Sequence, residues 1–275
     1  MIGRGLVATT LTALTILTVH LAAPTAARAE AERCPKMVAQ FPPMEIPPAF
    51  RLAALQPTEV SLTYIGHSTF LIETPGGVTA LTDYNDHVRP DIVPRVATMN
   101  HAHSTHYTNV PDPGIEHVLK GWADADGTPA RYNLDVGDLW VGNVPTNIRD
   151  YNGGTEKFGN SIFVFRAADL CIAHLGHLHH TLTEDDIAVL GRIDVVLAPV
   201  DGSYTLDVDG MVEVLKALEA PLVIPMHYFN ESTLNRFLNR LGDSKYAVAR
   251  NPGPRITLSR ATLPAKPTVL VLPGH

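Results

Sequence analysis

Histidines gathered in three short windows are the residues of this chain best suited to chemistry. Eight of its 13 histidines fall in them: His101, His103 and His106, then His174, His177, His179 and His180, and finally His227. Neutral imidazole is the commonest protein ligand for transition metals. Packing alone gives no reason to gather so many imidazoles at the ends of apolar runs. The pattern therefore predicts a metal site.

Each window directly follows a segment with the composition of a buried strand. These segments are Val93–Met99, Leu170–His174 and Leu222–Pro225. Ligands of open α/β sheets bind just beyond strand ends, where rigid elements fix the side chains. We therefore expect the three strand ends to converge on one metal-binding cup.

The remaining elements place these strands in an α/β domain. Further strands are predicted at Val60–Ile65, Thr69–Glu73, Val78–Thr82, Val118–Trp122, Arg131–Val136, Leu139–Val144 and Ser161–Arg166. The chain then alternates between a short helix after Thr183, a strand at Asp194–Pro199, helices at Asp209–Leu218 and Ser232–Leu241, and closing strands at Ile256–Ser259 and Val269–Leu272.

Composition limits the class of protein and of partner. With 275 residues, 45% of them hydrophobic, the chain can form one large domain with a substantial core. The formal charge is −7 and no basic run exceeds two residues, which argues against a nucleic-acid partner. We expect a small-molecule substrate, and the oligomeric state is left open.

The N-terminus has the pattern of a secretory signal over residues 1–29. Arg4 precedes an apolar stretch, and Ala27-Arg28-Ala29 forms a small-x-small cleavage site. Cleavage would give an exported protein, periplasmic or secreted, without stable membrane insertion. An uncleaved anchor is the alternative, because an apolar stretch of about 19 residues can span a bilayer.

A proline-rich lead-in at residues 30–57 separates this signal from a domain at residues 58–275.

Export would permit a disulfide between Cys34 and Cys171. Cys171 also suits a buried position as a small hydrophobe, because its neighbours resemble a strand.

Five ordered segments together resemble the metallo-β-lactamase fold superfamily. They are Tyr64-Ile-Gly-His67, Leu-Thr-Asp83, His101-x-His103-x-x-His106, His174-Leu-Gly and Ile-Pro-Met-His227-Tyr. The resemblance covers about residues 59–260. Within the superfamily, the segments look like the subgroup of sugar-acid lactonases and N-acyl-phosphatidylethanolamine phospholipases. The resemblance to the superfamily implies a four-layer αβ/βα sandwich with the site at one edge of both sheets.

The resemblance also implies roles for individual residues. His101, His103 and His174 would bind a first metal, and His106 and His227 a second. Asp83 would brace the histidine loop, and His67 would lie near the site. Two divalent ions are thus expected, zinc foremost and copper as the alternative.

Two positions depart from the family pattern. Thr105 and His177 stand where the family carries aspartates. His177 would restore a third ligand to the second metal, beside His106 and His227. Two three-histidine sites would result. Neutral imidazoles leave the charge of two dications uncompensated, so we expect the site to attract anions.

Three functions are compatible with such a site. The first is hydrolysis of an ester, lactone or phosphoester, with His179, His180 or Tyr228 transferring protons. The second is a dinuclear copper oxidase acting on phenol-type substrates, because imidazole also suits copper. The third is a periplasmic metal-binding protein without catalysis. Candidates for the substrate pocket wall are Trp140, Tyr151, Asn152 and Tyr204.

Overall fold

The computed structural model describes residues 55–150, 152–242 and 246–274. The predicted signal, Cys34, the lead-in up to residue 54 and Tyr151 lie outside these ranges. Cys171, which is buried, is not a free thiol. Within the same ranges, no helix combines the length and the apolar character needed to cross a bilayer.

The first sheet has six strands in the order β13-β1-β2-β3-β4-β5. Their bounds are β1 Val60–Gly66, β2 Thr69–Glu73, β3 Thr79–Leu81, β4 Val96–Met99, β5 His117–Lys120 and β13 Arg255–Leu258. β1 pairs antiparallel with β13 and β2, and β2 with β3, whereas β3, β4 and β5 run parallel.

The second sheet has eight strands in the order β12-β14-β11-β10-β9-β8-β7-β6. Their bounds are β6 Asn133–Val136, β7 Leu139–Arg149, β8 Thr155–Ala167, β9 Leu170–His174, β10 Val195–Pro199, β11 Leu222–Met226, β12 Ala247–Arg250 and β14 Thr268–Val271. From β9 to β12 the sheet is parallel, and β6, β7 and β8 join it antiparallel.

The two sheets share one hydrophobic core. Phe70 and Ile72 of the first sheet belong to the same buried cluster as Phe163, Phe165 and Leu197 of the second. The parallel strands β10 and β11 are buried throughout, which explains their uniformly apolar sequence. This arrangement gives the predicted sandwich and brings the strand ends of both sheets to a common edge.

Helices cover the outer face of the second sheet. Their bounds are α1 Glu184–Leu190, α2 Val208–Leu218 and α3 Glu231–Leu241, and a short 3₁₀ turn spans Arg260–Thr262. Thr183 forms the predicted capping box of α1. On the outer face of the first sheet, the residues that the structure describes include loop side chains, Tyr84 and Ile115, packed around Leu81 and Met99. Within the described part of the chain, that layer is therefore built from loops rather than from a helix.

Candidate metal centre

Five histidines from four strand ends form one group, which we call the histidine cluster. His67 follows β1, His103 and His106 follow β4, His177 follows β9 and His227 follows β11. The His106 ring centroid lies 4.7 Å from that of His177 and 5.1 Å from that of His227. One ligand atom from each of His67, His103, His106 and His227 lies within 4.8 Å of the others. The cluster thus presents several imidazole nitrogens to a single small volume.

Unusual backbone conformations aim three side chains at this volume. His67, Asp83 and His227 adopt φ angles of 51°, 44° and 53°. Residues with a Cβ rarely adopt this left-handed region, at a cost of about 1–2 kcal/mol each. The His227 N–H donates to the His67 carbonyl at 2.7 Å, which joins a strand end of the first sheet to one of the second. Backbone strain is therefore concentrated at the cluster, as is common at functional sites.

The carboxylates that contact His106 and His227 leave two facing lone pairs. His106 Nδ1 lies 2.5 Å from Asp83 Oδ2, and His227 Nδ1 lies 3.1 Å from Asp201 Oδ1. A carboxylate only accepts, so we assign the ring proton to Nδ1 in both cases. The two unprotonated Nε2 atoms then face each other at 3.1 Å. Such lone pairs repel each other unless a cation lies between them, so this pair fits a metal ion.

A second pair of nitrogens faces the same way. His103 Nε2 lies 3.2 Å from His177 Nε2. Their Nδ1 atoms contact Thr105 Oγ1 and His179 Nε2, both at 2.8 Å. The buried Nε2 of His67 has no hydrogen-bond partner among the described residues. These three Nε2 atoms are further donors that a transition metal would satisfy.

Burial favours the neutral form of four of the five rings. It lowers the pKa of His67 to about 3 and holds those of His106 and His177 well below the usual range, with neighbouring histidine charges acting in the same direction. Burial also lowers the pKa of His103. These four rings therefore favour the unprotonated form, which is the state that binds metals.

Asp201 is a candidate site residue that sequence reasoning missed. It is fully buried after β10 and accepts hydrogen bonds from Ser203 N at 2.9 Å and from Thr205 Oγ1 at 2.5 Å. Burial acts to raise its pKa, but hydrogen bonds from His227 and Thr205 hold the pKa well below the usual range. Asp201 is thus a carboxylate that orients His227. Its position after an apolar strand was the available signal.

Two of the predicted metal ligands lie apart from the cluster. His101 Nδ1 is 2.8 Å from Glu156 Oε1, and its ring lies against Tyr107 and Trp122. His174 Nε2 contacts the Ser68 carbonyl at 2.8 Å. The structure therefore assembles the predicted second set, His106, His177 and His227, and adds His103 and His67. Binding of a metal by His101, His103 and His174 together would require His101 to leave Glu156.

The predicted proton-transfer residues differ in their contact with the cluster. His179 contacts it through His177. His180 accepts from the Asn147 backbone N–H at 3.1 Å and bonds the Thr181 carbonyl, so backbone groups occupy both of its ring nitrogens. The Tyr228 hydroxyl donates to the Leu272 carbonyl at 3.3 Å. Of the three, only His179 is placed to exchange a proton with a cluster histidine.

The residues predicted to form the pocket wall also differ in their position relative to the cluster. Trp140 is buried and donates from Nε1 to Asn133 at 2.6 Å. Asn152 is exposed and its backbone N–H donates to Asp150. Tyr204 is exposed and lies against Phe229, whose ring centroid is 5.7 Å from that of His227. Tyr204 is therefore the predicted wall residue that the structure places beside the cluster.

The stability of the metal-free protein should rise with pH between about 5 and 6.5. The unfolded chain protonates its histidines near pH 6.5, whereas the folded chain keeps His67, His106 and His177 neutral to lower pH. The unfolded state thus binds more protons in this window, and folding is favoured fully only above it. Three histidines contribute, but solvent screens part of the effect. We therefore expect the free energy of unfolding to rise by at least about 1.4 kcal/mol per pH unit, which corresponds to one proton. Urea midpoints measure it, and a constant midpoint from pH 5 to 6.5 would contradict it.

Comparisons with known proteins agree with this architecture. Residues 61–227 match the family described as "Beta-lactamase superfamily domain". The chain is 28% identical over 223 residues to a UPF0173 metal-dependent hydrolase from Salinibacter ruber. The aligned region covers 67% of this chain and 92% of that protein. A similar hydrolase from Ignicoccus hospitalis is 24% identical over 236 residues, covering 73% of this chain and 98% of that one.

A solved structure shows the same fold. A proposed Zn-dependent hydrolase of the metallo-β-lactamase superfamily from Thermotoga maritima has a TM-score of 0.58 and 27% identity, covering 78% of this chain and 100% of that one. The fold predicted from the histidine motifs is therefore confirmed.

Proposed function

We propose that this chain, which belongs to the beta-lactamase superfamily, is a metal-dependent hydrolase acting through the histidine cluster. The relatives from Salinibacter ruber and Ignicoccus hospitalis are named metal-dependent hydrolases. The observation that carries the proposal for this chain is the pair of facing Nε2 atoms of His106 and His227, each with its Nδ1 turned to a carboxylate. This carboxylate–histidine arrangement is typical of metal ligands.

The cluster would hold divalent metal, for which we propose two ions and zinc as the element. Metal bound there would act as a Lewis acid toward a carbonyl or phosphoryl oxygen and would activate water. Asp83 and Asp201 would fix the ring orientation of His106 and His227. His179, in contact with His177, would accept or return a proton at Nε2. Burial lowers the pKa of His179 to about 4, with the charge of Arg149 acting in the same direction, so this ring is neutral at neutral pH.

The substrate class follows from the charge of the site. Neutral imidazoles do not compensate a bound dication, so an ester, lactone or phosphoester oxygen would meet a positive centre. We further propose that the chain acts on a small molecule after export and cleavage of residues 1–29. The retained order of strand-end histidines supports a catalytic site over simple metal storage.

A substrate panel tests this proposal. Zinc-loaded protein should hydrolyse at least one aryl ester, lactone or phosphodiester at a rate at least 100-fold above buffer. A chelator should abolish that rate, and added zinc should restore it. Protein that binds zinc at the cluster but hydrolyses none of the three classes would contradict the proposal.

A copper oxidase is the second candidate. The observation that favours it is the donor set, because the four groups whose ligand atoms lie within 4.8 Å of one another are all imidazoles. Imidazole-only sites suit copper, which stands at the top of the divalent affinity series. Copper-loaded protein that consumes oxygen with a phenol would support this candidate, and zinc-dependent hydrolysis without such oxygen uptake would exclude it.

A further inference from the structure

Two exposed aromatic side chains stand beside the histidine cluster. Tyr204 is 62% and Phe229 is 56% exposed, and among the described residues no other phenylalanine, tyrosine or tryptophan is comparably exposed. Their ring centroids lie 5.5 Å apart at an interplanar angle of 73°. Large aromatic rings normally gain stability from burial, so an exposed pair in contact indicates a binding surface.

The pair adjoins the open side of the cluster. The Phe229 centroid lies 5.7 Å from that of His227 and 6.3 Å from that of His67. His67 is only partly buried, whereas His106 and His227 are fully buried. A molecule that reaches the cluster past His67 would therefore touch Phe229.

A cation lies at the other end of this surface. The Arg149 guanidinium donates to the carbonyl of Ser203, next to Tyr204, at 3.2 Å. Arg149 also lines a cavity of about 180 Å³ with His179 and His180. His179 joins that cavity to the cluster through His177. Arg149 thus connects the loop that carries Tyr204 with the cavity beside His179.

We infer that the substrate carries a planar apolar group that packs on Tyr204 and Phe229 and an anionic group that pairs with Arg149. The two rings meet nearly at right angles, so a planar group can stack on one face and meet the other edge-on. The guanidinium matches a carboxylate or phosphate in geometry. This inference rests on the proposed function, because the bond to be cleaved would have to lie at the histidine cluster.

Binding of product-like probes tests the inference without turnover. Calorimetry on the zinc-loaded full chain would compare 2-naphthoate with cyclohexanecarboxylate, which lacks the planar ring, and with 2-naphthylmethanol, which lacks the charge. We expect 2-naphthoate to bind about 10-fold more tightly than either. The double variant Tyr204→Ala/Phe229→Ala should weaken 2-naphthoate about 10-fold and cyclohexanecarboxylate by less than about twofold.

Arg149→Gln should weaken 2-naphthoate about 10-fold and leave 2-naphthylmethanol unchanged. Val110→Ala, which changes an exposed apolar residue elsewhere, is the control. Equal binding of the three probes, or binding unaffected by the aromatic and arginine variants, would overturn the inference. The expected binding pattern without hydrolysis of any aryl ester, lactone or phosphodiester would uphold the inference and refute the hydrolase, whereas hydrolysis of one of these classes with equal probe binding would do the reverse.

Discussion

His177→Ala is expected to remove at least half of the bound metal and to lower the hydrolytic rate by 100-fold or more. His177 is 4% exposed, its Nε2 lies 3.2 Å from that of His103, and its ring packs 4.7 Å from that of His106. Loss of a residue that merely orients a ligand costs about 10- to 100-fold in affinity or activity, so loss of a ligand itself should cost at least as much.

Two measurements test this prediction: the metal content after gel filtration, and the turnover rate of the zinc-loaded protein. His117→Ala is the matched control, because His117 lies on β5 and contacts Glu116 at 3.2 Å rather than the cluster. That variant should keep its metal and its rate. Full metal content and full rate in His177→Ala would show that His177 is a packing residue.

Asp201→Asn is expected to weaken metal binding by about 10- to 100-fold and to destabilise the fold by about 1–3 kcal/mol. Asp201 accepts from Ser203 N, Tyr204 N and Thr205 Oγ1 and faces His227 Nδ1 at 3.1 Å. The asparagine amide would place a donor against these donors. His227 would then lose the partner that keeps its Nε2 unprotonated and directed at His106.

Asp194→Asn separates the two effects of that substitution. Asp194 is also fully buried, lies at the opposite end of β10, accepts from Cys171 N at 3.0 Å and pairs with Arg260. Its asparagine variant should lose stability by urea denaturation but keep its zinc affinity. If Asp201→Asn kept its zinc affinity as well, Asp201 would be a structural residue only.

The fold was largely predictable because its strands carry strong local signals. β2 and β9 match the predicted bounds, and the apolar strands β10 and β11 differ by a residue at one end. β7 and β8 extend beyond the prediction, since polar pairs such as Thr146 with Asn160 interrupt the apolar pattern there. β12 was not predicted, because it is a short and mostly exposed edge strand.

The position of the site was predictable from the sequence, but only some of its residues were. The strand-end argument located His103, His106, His177 and His227, which converge in the structure. The family resemblance grouped His101 with His103 and His174. Residues 101–106 form bends and turns, and the His101 N–H donates to the Gly159 carbonyl while its ring contacts Glu156.

Two further residues depended on three-dimensional contacts. His67 was expected only near the site, but its left-handed backbone turns its ring into the group of four. Asp201 gave little signal, because an aspartate after a strand usually forms a turn. Its burial and its approach to His227 come from the pairing of β10 with β11, which a local pattern does not reveal.

X-ray absorption at the zinc edge of the zinc-loaded chain tests the central claim most directly, because it reports the atoms around the ion. The histidine cluster predicts nitrogen and oxygen ligands with the outer-shell scattering of at least three imidazoles. That scattering should decrease in His106→Ala and stay unchanged in His117→Ala. A zinc environment with fewer than two imidazoles, or a spectrum unaffected by His106→Ala, would show that the metal does not bind at this cluster.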